Sequence, residues 1–345
     1  MSRELLNTLF VLTPGAYARL DGDTVRVEAQ GERLLQAPLL HLGSLVFFGG
    51  ATPSAPLMER CARDGRGITF LDGAGRFQAR VVGPTGGNVL LRTAQYEAGA
   101  DAGRCADVAR AMVAAKLRNG RSLLLRGARD CRSEEGREAL REACSSMAVL
   151  LTALPGADSL EVVRGVEGQA AALYFAVLGH VISRPPAEFA FRARTRRPPR
   201  DRVNALLSFL YAILTSDCVG AAEGVGLDPQ VGFLHAIRPG RPSLALDLME
   251  EFRAPLVDRV VLGLINRRQV RPEHFEERPG GSVMMTDDGR RLVLRAYQEH
   301  KQEEVVHPFL KERAPVGLLP HLQARLLARH LRGDLPSYLP YVARQ

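Results

Sequence analysis

The hydrophobic pattern of this chain changes near a Gly/Pro-rich break at residues 84–87. Before the break, short apolar runs alternate with polar residues, which is typical of β-strands. After it, apolar residues recur at helical spacing. We therefore predict an α+β fold, with a β-rich N-terminal domain at residues 1–95 and a larger all-α domain at residues 96–345. The first domain carries no catalytic cluster, so we expect it to serve packing or dimer contacts.

The element boundaries follow from the same periodicities and from the turn and cap residues between them. In the first domain the pattern predicts a helix at 54–63 and strands at 8–12, 24–29, 45–48, 67–71 and 77–82, with a hairpin turn at Asp21–Gly22. Residues 88–96 are interpreted as a linker. The predicted helices of the second domain are 101–118, 133–154, 159–183, 201–217, 243–268, 291–313 and 318–332.

Charge and composition narrow the class of partner. The 345 residues are 46% hydrophobic and carry a formal net charge of +8, which favours a polyanionic partner. The cysteines include no CxxC pair, so neither a zinc ribbon nor an iron–sulfur site is supported. The longest apolar stretch, 205–215, is too short to cross a bilayer, and no signal peptide is recognised. We expect a cytoplasmic protein without a membrane partner.

Candidate metal ligands are concentrated in residues 232–253, GFLHAIRPGRPSLALDLMEEFR. His235 ends a short apolar run, and a helix opened by Pro242 and Ser243 then carries Asp247 and Glu250. These carboxylates are three residues apart and share one helix face. Their apolar neighbours suggest burial, and a buried carboxylate needs a partner or a metal. The alternative is that acidic residues only favour the helix dipole, as we expect for Glu251.

A further carboxylate occupies the apolar face of an earlier predicted helix. Glu167 is four residues after Val163 and four before Ala171, so it shares their face. It is either an ion-pair partner of an arginine or a third ligand beside His235 and the 247–250 pair.

Residues 192–202, RARTRRPPRDR, form the densest basic run. The prolines exclude a helix interior, so we interpret the run as a loop. It contains no aromatic side chain, and we therefore expect contacts to the DNA backbone rather than to bases. Asn204, just inside the following helix, is either a cap or a support for the site. The candidate DNA contacts are Arg192, Arg194, Arg196, Arg197, Arg241, Arg253 and Lys311.

Five sequence blocks, in this order, resemble the CRISPR adaptation integrase, the universal CRISPR-associated endonuclease of spacer acquisition. They are NVLLRTAQ (88–95), RGVEG (164–168), DRVNALLSF (201–209), DPQVGFLH (228–235) and RPSLALDLMEEFR (241–253). The resemblance covers nearly the whole chain. Its length and the lack of a fused domain most resemble the integrase of a type I system, with subtype I-C as one candidate.

The resemblance implies a divalent metal, Mg²⁺ or Mn²⁺, bound by residues that match Glu167, His235 and Glu250, with Asp247 at a supporting acidic position. Many relatives have aspartate where this chain has Glu250. The implied reaction joins the 3′-hydroxyl of a short DNA fragment to the CRISPR repeat by transesterification, and water in its place gives cleavage. The implied partners are double-stranded DNA, a second copy of the chain and a dimer of the small companion adaptation protein.

Two other functions fit the same residues. One is a general metal-dependent nuclease for branched DNA, which requires the same ligands and basic surface. The other is a non-catalytic DNA-binding scaffold in which Glu167, His235 and Glu250 only hold helices together. Metal dependence and a covalently joined DNA product distinguish these three hypotheses.

Overall fold

A computed structural model describes residues 7–73, 75–83, 89–182 and 187–343, and the chain divides into two compact units, Met1–Gly87 and Asn88–Gln345. The sequence-based boundary at residue 95 is therefore too late. Residues assigned to a linker begin a helix, Val89–Ala100, in which Leu91 and Ala98 are buried at helical spacing. The Gly/Pro-rich break at 84–87 lies outside the described residues.

The first unit is β-rich, as predicted. Its strands and helix are β1 (Asn7–Val11), β2 (Tyr17–Asp21), β3 (Thr24–Ala29), β4 (Glu32–Pro38), β5 (Leu42–Phe48), β6 (Thr52–Pro53), α1 (Ala55–Arg63), β7 (Gly67–Leu71) and β8 (Phe77–Val81). One sheet has the order β1-β5-β7-β8, with β8 antiparallel to the otherwise parallel strands. The other has the order β4-β3-β2-β6.

The local chemistry explains these elements. Val25 and Val27 alternate with polar residues and are buried, so β3 turns one face to the core. The turn predicted at Asp21–Gly22 is confirmed, and the φ of Gly22 is +58°. However, it joins β3 to β2, a strand that was not predicted, whereas the predicted strand at 8–12 corresponds to β1 and pairs with β5. Ser54 caps α1 by accepting a hydrogen bond from the amide of Leu57. The strand β4 was missed because almost all of its residues are exposed and show no alternation.

The second unit is mostly helical, which confirms the predicted fold class. Its helices are α2 (Val89–Ala100), α3 (Ala102–Asp130), α4 (Glu134–Ala153), α5 (Leu160–Val177), α6 (Arg202–Val225), α7 (Ser243–Met249), α8 (Arg259–Asn266), α9 (Asp287–Gln302) and α10 (Leu319–Leu331). Short hairpins interrupt it at β9–β10 (Phe275–Arg278 and Ser282–Met285) and at β11–β12 (Glu304–Val306 and Arg313–Pro315). The predicted helix at 291–313 thus ends near Gln302.

Helix α3 continues well past the predicted end at residue 118. Asn119 and Gly120 resemble a helix break in sequence, but both are buried inside it. Gly120 packs against α5, where even a Cβ would lie at an ordinary contact distance of 3.4 Å from the Tyr174 ring. Tertiary packing, which the sequence does not display, therefore overrides the low helix propensity of these residues.

The helix predicted at 243–268 is divided into α7, a π-helical segment at Arg253–Asp258, and α8. Pro255 has no N–H and cannot continue a regular helix at that point. In the turn before it, amides bond three residues back: Glu250 to the Asp247 carbonyl at 3.1 Å and Phe252 to the Met249 carbonyl at 2.9 Å. The candidate ligand Glu250 therefore lies in a break rather than in a helix interior.

Helix α6 is longer than the apolar stretch measured from sequence. By length and composition alone it could cross a membrane. However, 61% of its most apolar window is buried inside the protein, as in the core helix of a globular unit.

Candidate metal centre and nucleic-acid interface

The carboxylates of Glu167 and Glu250 converge on one ammonium group. Glu167 of α5 forms an ion pair with Lys116 of α3. The Lys116 Nζ also lies 2.7 Å from Glu250 Oε2. The ion pair expected for Glu167 therefore exists, but with a lysine, and it joins two of the predicted ligands around a cation.

His235 is oriented toward the same place. Its Nδ1 lies 2.6 Å from Asp247 Oδ1, and its Nε2 lies 4.0 Å from Glu250 Oε1. Because an ionised carboxylate only accepts hydrogen bonds, this pairing assigns the proton to Nδ1. The lone pair of Nε2 is then directed toward Glu250, as a metal-binding imidazole requires.

Asp247 holds the segment that carries His235. It is fully buried and accepts hydrogen bonds from the amides of Phe233 at 2.6 Å, Leu234 at 2.9 Å and His235 at 2.9 Å. A Cβ on Gly232 would lie 2.5 Å from Asp247 Oδ2, so only glycine allows this approach. Since backbone amides and the imidazole occupy both its oxygens, Asp247 supports the site rather than facing a ligand.

Glu250 is buried among positive charges. Its side chain is 2% exposed, and Arg253 lies 2.9 Å from its Oε1. Burial by itself would raise the pKa of Glu250, but Arg253 and Lys116 outweigh it and lower the pKa to about 2. The carboxylate therefore stays ionised, which suits a ligand for a hard cation.

Arg253 serves this cluster instead of facing outward. Its guanidinium lies 4.9 Å from the centre of the Tyr211 ring. The Tyr211 hydroxyl donates to the buried Asp258 at 2.6 Å, and Tyr174 donates to the same carboxylate at 2.7 Å. Burial raises the pKa of Asp258, and the two tyrosine hydroxyls oppose that rise.

The arginine-rich loop divides into exposed and anchored side chains. Arg194 donates to Asn204 Oδ1 at 2.8 Å and to Ser208 Oγ at 3.0 Å on α6. Burial lowers its pKa to about 10, so it remains positively charged at neutral pH. Asn204 is neither cap nor site support: Asp201 caps α6, and Asn204 holds the loop by donating to the Ala193 carbonyl at 2.8 Å.

The other predicted DNA contacts differ in exposure. Arg192, Arg196 and Arg197 are exposed on the loop, whereas Arg241 is half-buried in the turn before α7. Lys311 is exposed in a turn, where its ammonium donates to the Pro308 carbonyl.

The side chains of this cluster are of the types that bind a divalent cation, but they are not gathered as closely as metal ligands are. Among the described residues, no three His, Cys, Asp or Glu side chains are gathered closely enough to hold a metal. The Lys116 ammonium instead lies between the carboxylates of Glu167 and Glu250, so positive charge is accommodated where they meet. Carboxylate oxygen and imidazole nitrogen are ligands that Mg²⁺ or Mn²⁺ accepts.

Two residues of this region were missed or misread from sequence. Lys116 had one available signal, since it is one of three lysines in an arginine-rich chain and lies on an apolar helix. Glu251 was interpreted as an exposed helix-dipole residue, but it is fully buried. The helix break turns it inward, and the break was not predicted because the apolar spacing continues across Pro255.

Comparison with known proteins gives a consistent result. Residues 9–299 match the family model described as CRISPR associated protein Cas1. The chain is 54% identical over 340 residues to a CRISPR-associated endonuclease Cas1 from Moorella thermoacetica, covering 99% of both chains. A Cas1 protein from Thermotoga maritima has a similar fold, with a TM-score of 0.81 at 22% identity, covering 99% of this chain and 100% of that one.

A Cas6-RT-Cas1–Cas2 complex also contains a chain of similar fold. Its TM-score is 0.81 at 22% identity, and the match covers 99% of this chain and 37% of that one.

Proposed function

Since the chain belongs to the Cas1 family of CRISPR-associated endonucleases, we propose that Glu167, His235 and Glu250 hold the divalent metal with which it cuts and joins DNA. The enzyme is a metal-dependent DNA endonuclease and integrase of CRISPR spacer acquisition. The metal itself is proposed to be Mg²⁺ or Mn²⁺. The observation that carries the ligand assignment is the pairing of His235 Nδ1 with the buried Asp247, which directs Nε2 toward Glu250.

The protein residues perform defined tasks in this proposal. A bound divalent ion would polarise the phosphodiester and stabilise charge on the attacking and leaving oxygens. Asp247 orients His235 and holds it in one tautomer. Arg253 keeps Glu250 ionised and fixes its carboxylate through an ion pair at 2.9 Å.

Lys116 is shared between two of the proposed ligands. Its ammonium contacts Glu167 and Glu250, and its side chain is 16% exposed. With the carboxylates engaged elsewhere, a flexible ammonium at this position would be available to a phosphate oxygen of DNA.

The DNA would be held by its backbone. The exposed Arg192, Arg196 and Arg197 offer guanidinium groups suited to phosphate, and Lys311 adds an exposed ammonium. Arg241 is a further candidate at the half-buried turn before α7. Arg194 and Arg253 are assigned instead to holding the loop and Glu250, because their guanidinium groups contact Asn204, Ser208, Tyr211 and Glu250.

The assembly is proposed by analogy. The structurally similar chain in the Cas6-RT-Cas1–Cas2 complex supports a companion protein of the Cas2 type. We propose that this protein is a homodimer, that two such dimers flank a dimer of the companion, and that the complex works in the cytoplasm. Light scattering measures the mass of the protein alone, expected to be a dimer, and the mass of its complex with the companion. A monomer at micromolar concentration would argue against the proposal.

A strand-transfer assay tests the function directly. It combines short duplex DNA, a plasmid carrying a CRISPR repeat and the companion protein, with either Mn²⁺ or EDTA. We expect a joined product that requires Mn²⁺ and disappears in Glu167→Ala. Cleavage without joining would favour the general nuclease. DNA binding without any metal-dependent reaction would favour the scaffold.

A further inference from the structure

The chain after α10 contacts the break that carries Glu250. We call residues 336–343 the strap. Its Tyr338 hydroxyl donates to Glu251 Oε1, and its Tyr341 amide donates to Glu251 Oε2 at 2.6 Å. Both tyrosines are 4% exposed. The strap is therefore packed into the helical unit and bonded to the residue next to the proposed ligand.

A second contact holds the backbone itself. Pro255 cannot donate to the carbonyl four residues earlier, which is that of Glu251. Asn119 of α3 supplies the missing donor, with Nδ2 at 2.8 Å from that carbonyl. The same Nδ2 lies 3.0 Å from the Tyr341 carbonyl, and Asn119 Oδ1 accepts from the Ala343 amide at 2.9 Å. One buried amide thus joins the helix break to the strap.

The remaining contacts complete the attachment. Gln323 of α10 donates to Glu251 Oε2 and to the Leu339 carbonyl, each at 3.0 Å. The Tyr341 ring stacks on Phe252, with centroids 5.7 Å apart and planes 28° apart. Residues 251 and 252 are therefore held at three points: the Glu251 side chain, the Glu251 carbonyl and the Phe252 ring.

This attachment matters because the backbone of Glu250 lies outside a regular helix, although Arg253 and Lys116 hold its carboxylate. Glu250 lies in the tight turn between α7 and the π-helical segment, where a regular helical ladder is missing. Its backbone position depends on what holds the next residues. Helix α3 also connects the two glutamates, since its Lys116 contacts Glu250 and its Asn119 contacts Glu251.

We propose that the strap, through Tyr338 and Glu251, is a positioning element that sets where the Glu250 carboxylate stands in the metal site. This inference rests on the proposed function, because it takes Glu250 as a ligand. Tyr338 is a positioning residue and does not itself touch metal or DNA. Loosening the strap should weaken metal binding, even in a variant that remains folded.

The test compares two buried tyrosines that each donate to a carboxylate. Tyr338→Phe removes the bond to Glu251. Tyr297→Phe, the matched control, removes a bond of 2.9 Å to Asp217 on α6. Mn²⁺ affinity is measured by calorimetry on the full chain, well below the melting temperature of each variant. We expect Tyr338→Phe to bind Mn²⁺ on the order of tenfold more weakly, the lower end for loss of a residue that supports a metal ligand. Tyr297→Phe should bind it as the wild type does.

Each outcome decides a different point. Equal Mn²⁺ affinity in Tyr338→Phe and wild type, with both tyrosine variants similarly destabilised, would overturn the strap proposal and leave the metal site intact. If the wild-type protein does not bind Mn²⁺, or if Glu167→Ala binds Mn²⁺ as tightly as the wild type, both proposals are overturned.

A measurement on the wild type covers the case in which Tyr338→Phe does not fold. Coupling between two sites is reciprocal, so metal bound at Glu250 should tighten the strap. We expect Mn²⁺ to slow hydrogen exchange of the Tyr341 amide at least severalfold relative to EDTA. Unchanged exchange at that amide, with Mn²⁺ bound, would overturn the proposal.

Discussion

Glu250 and Glu251 are adjacent and buried, yet they face two regions of opposite character. Glu250 faces the ligand region, where Lys116, His235 and Arg253 supply positive or protonatable groups. Glu251 faces the strap region, where its partners are neutral donors. The pKa of Glu250 falls to about 2, whereas burial raises that of Glu251 to about 7 despite its hydrogen bonds.

The difference shows which interaction compensates for burial. Cations stabilise an ionised carboxylate over its neutral form, and two of them outweigh desolvation at Glu250. Neutral donors also favour the ionised form, but at Glu251 they do not match the loss of water. The ligand region is therefore arranged to keep charge, whereas the strap region is arranged to hold structure.

The largest expected effect is on catalysis by the ligand region. Glu250→Gln keeps the shape of the side chain but removes its charge, so the metal loses a ligand. We expect strand transfer to slow by roughly 10²- to 10³-fold, as for loss of one preorganised charge-stabilising group. Initial rates with Mn²⁺ measure this, and Glu251→Gln, which can act only through the position of Glu250, should slow strand transfer less. Equal losses in both variants would erase the distinction between the regions.

The next effect is on stability in the strap region. Glu251→Ala leaves the Tyr338 hydroxyl, the Tyr341 amide and a Gln323 N–H without their acceptor. We expect the free energy of unfolding to fall by about 3 kcal/mol, as for buried donors left unpaired. Urea unfolding measures it. The exposed Glu161→Ala on α5, whose side chain is 78% exposed, should change it by less than about 1 kcal/mol. A loss this small in Glu251→Ala would argue that the strap is not held there.

A pH series separates the two glutamates. When the pKa of a carboxyl is higher in the folded protein than in the unfolded chain, its protonated form stabilises the fold. That contribution to stability is lost as pH rises. For Glu251 the window runs from its ordinary value of 4.5 to about 7, which amounts to about 2 kcal/mol between pH 5 and 7. Glu250 has the opposite sign, since its contribution is lost as pH falls from 4.5 toward 2.

Urea unfolding in EDTA at several pH values measures this slope. Glu251→Gln should remove the loss of stability between pH 5 and 7. An identical slope in wild type and Glu251→Gln would assign it to another group.

The smallest expected effect concerns orientation within the ligand region. Asp247→Asn places an amide where the carboxylate pairs with His235 Nδ1, which favours the tautomer whose Nε2 carries the proton. We expect Mn²⁺ to bind about tenfold more weakly, because the bond from His235 Nδ1 to Asp247 is what leaves the lone pair on Nε2. Calorimetry measures the affinity. Wild-type affinity in Asp247→Asn would show that the imidazole does not need this partner.

The sequence predicted the fold class and most elements where periodicity is strong. The turn at Gly22, strand β3 and the capped helix α1 were found because a turn glycine, alternation and a cap serine are local signals. The helix at Val89–Ala100 was missed because it follows a Gly/Pro-rich break. The break in 243–268 was missed because apolar spacing continues across Pro255.

The candidate ligands were found by a mixture of signals. Apolar flanks marked Asp247, Glu250 and Glu167 as carboxylates needing a partner, and the resemblance to a known family assigned their roles. Those roles remain predictions, as do the DNA contacts of the exposed loop arginines. Arg194 and Arg253 were indistinguishable in sequence from surface arginines, since their partners, Asn204 and Tyr211, are defined only by folding.

The sequence by itself determined where charge must be compensated, because a carboxylate among apolar residues cannot be buried alone. Only the tertiary structure decided which compensation each carboxylate received. Lys116 and Asn119 are one helical turn apart on α3, yet one meets the Glu250 side chain and the other the Glu251 backbone. The strap reaches Glu251 from 90 residues away along the chain, and such a long-range pairing leaves no periodic trace in the sequence.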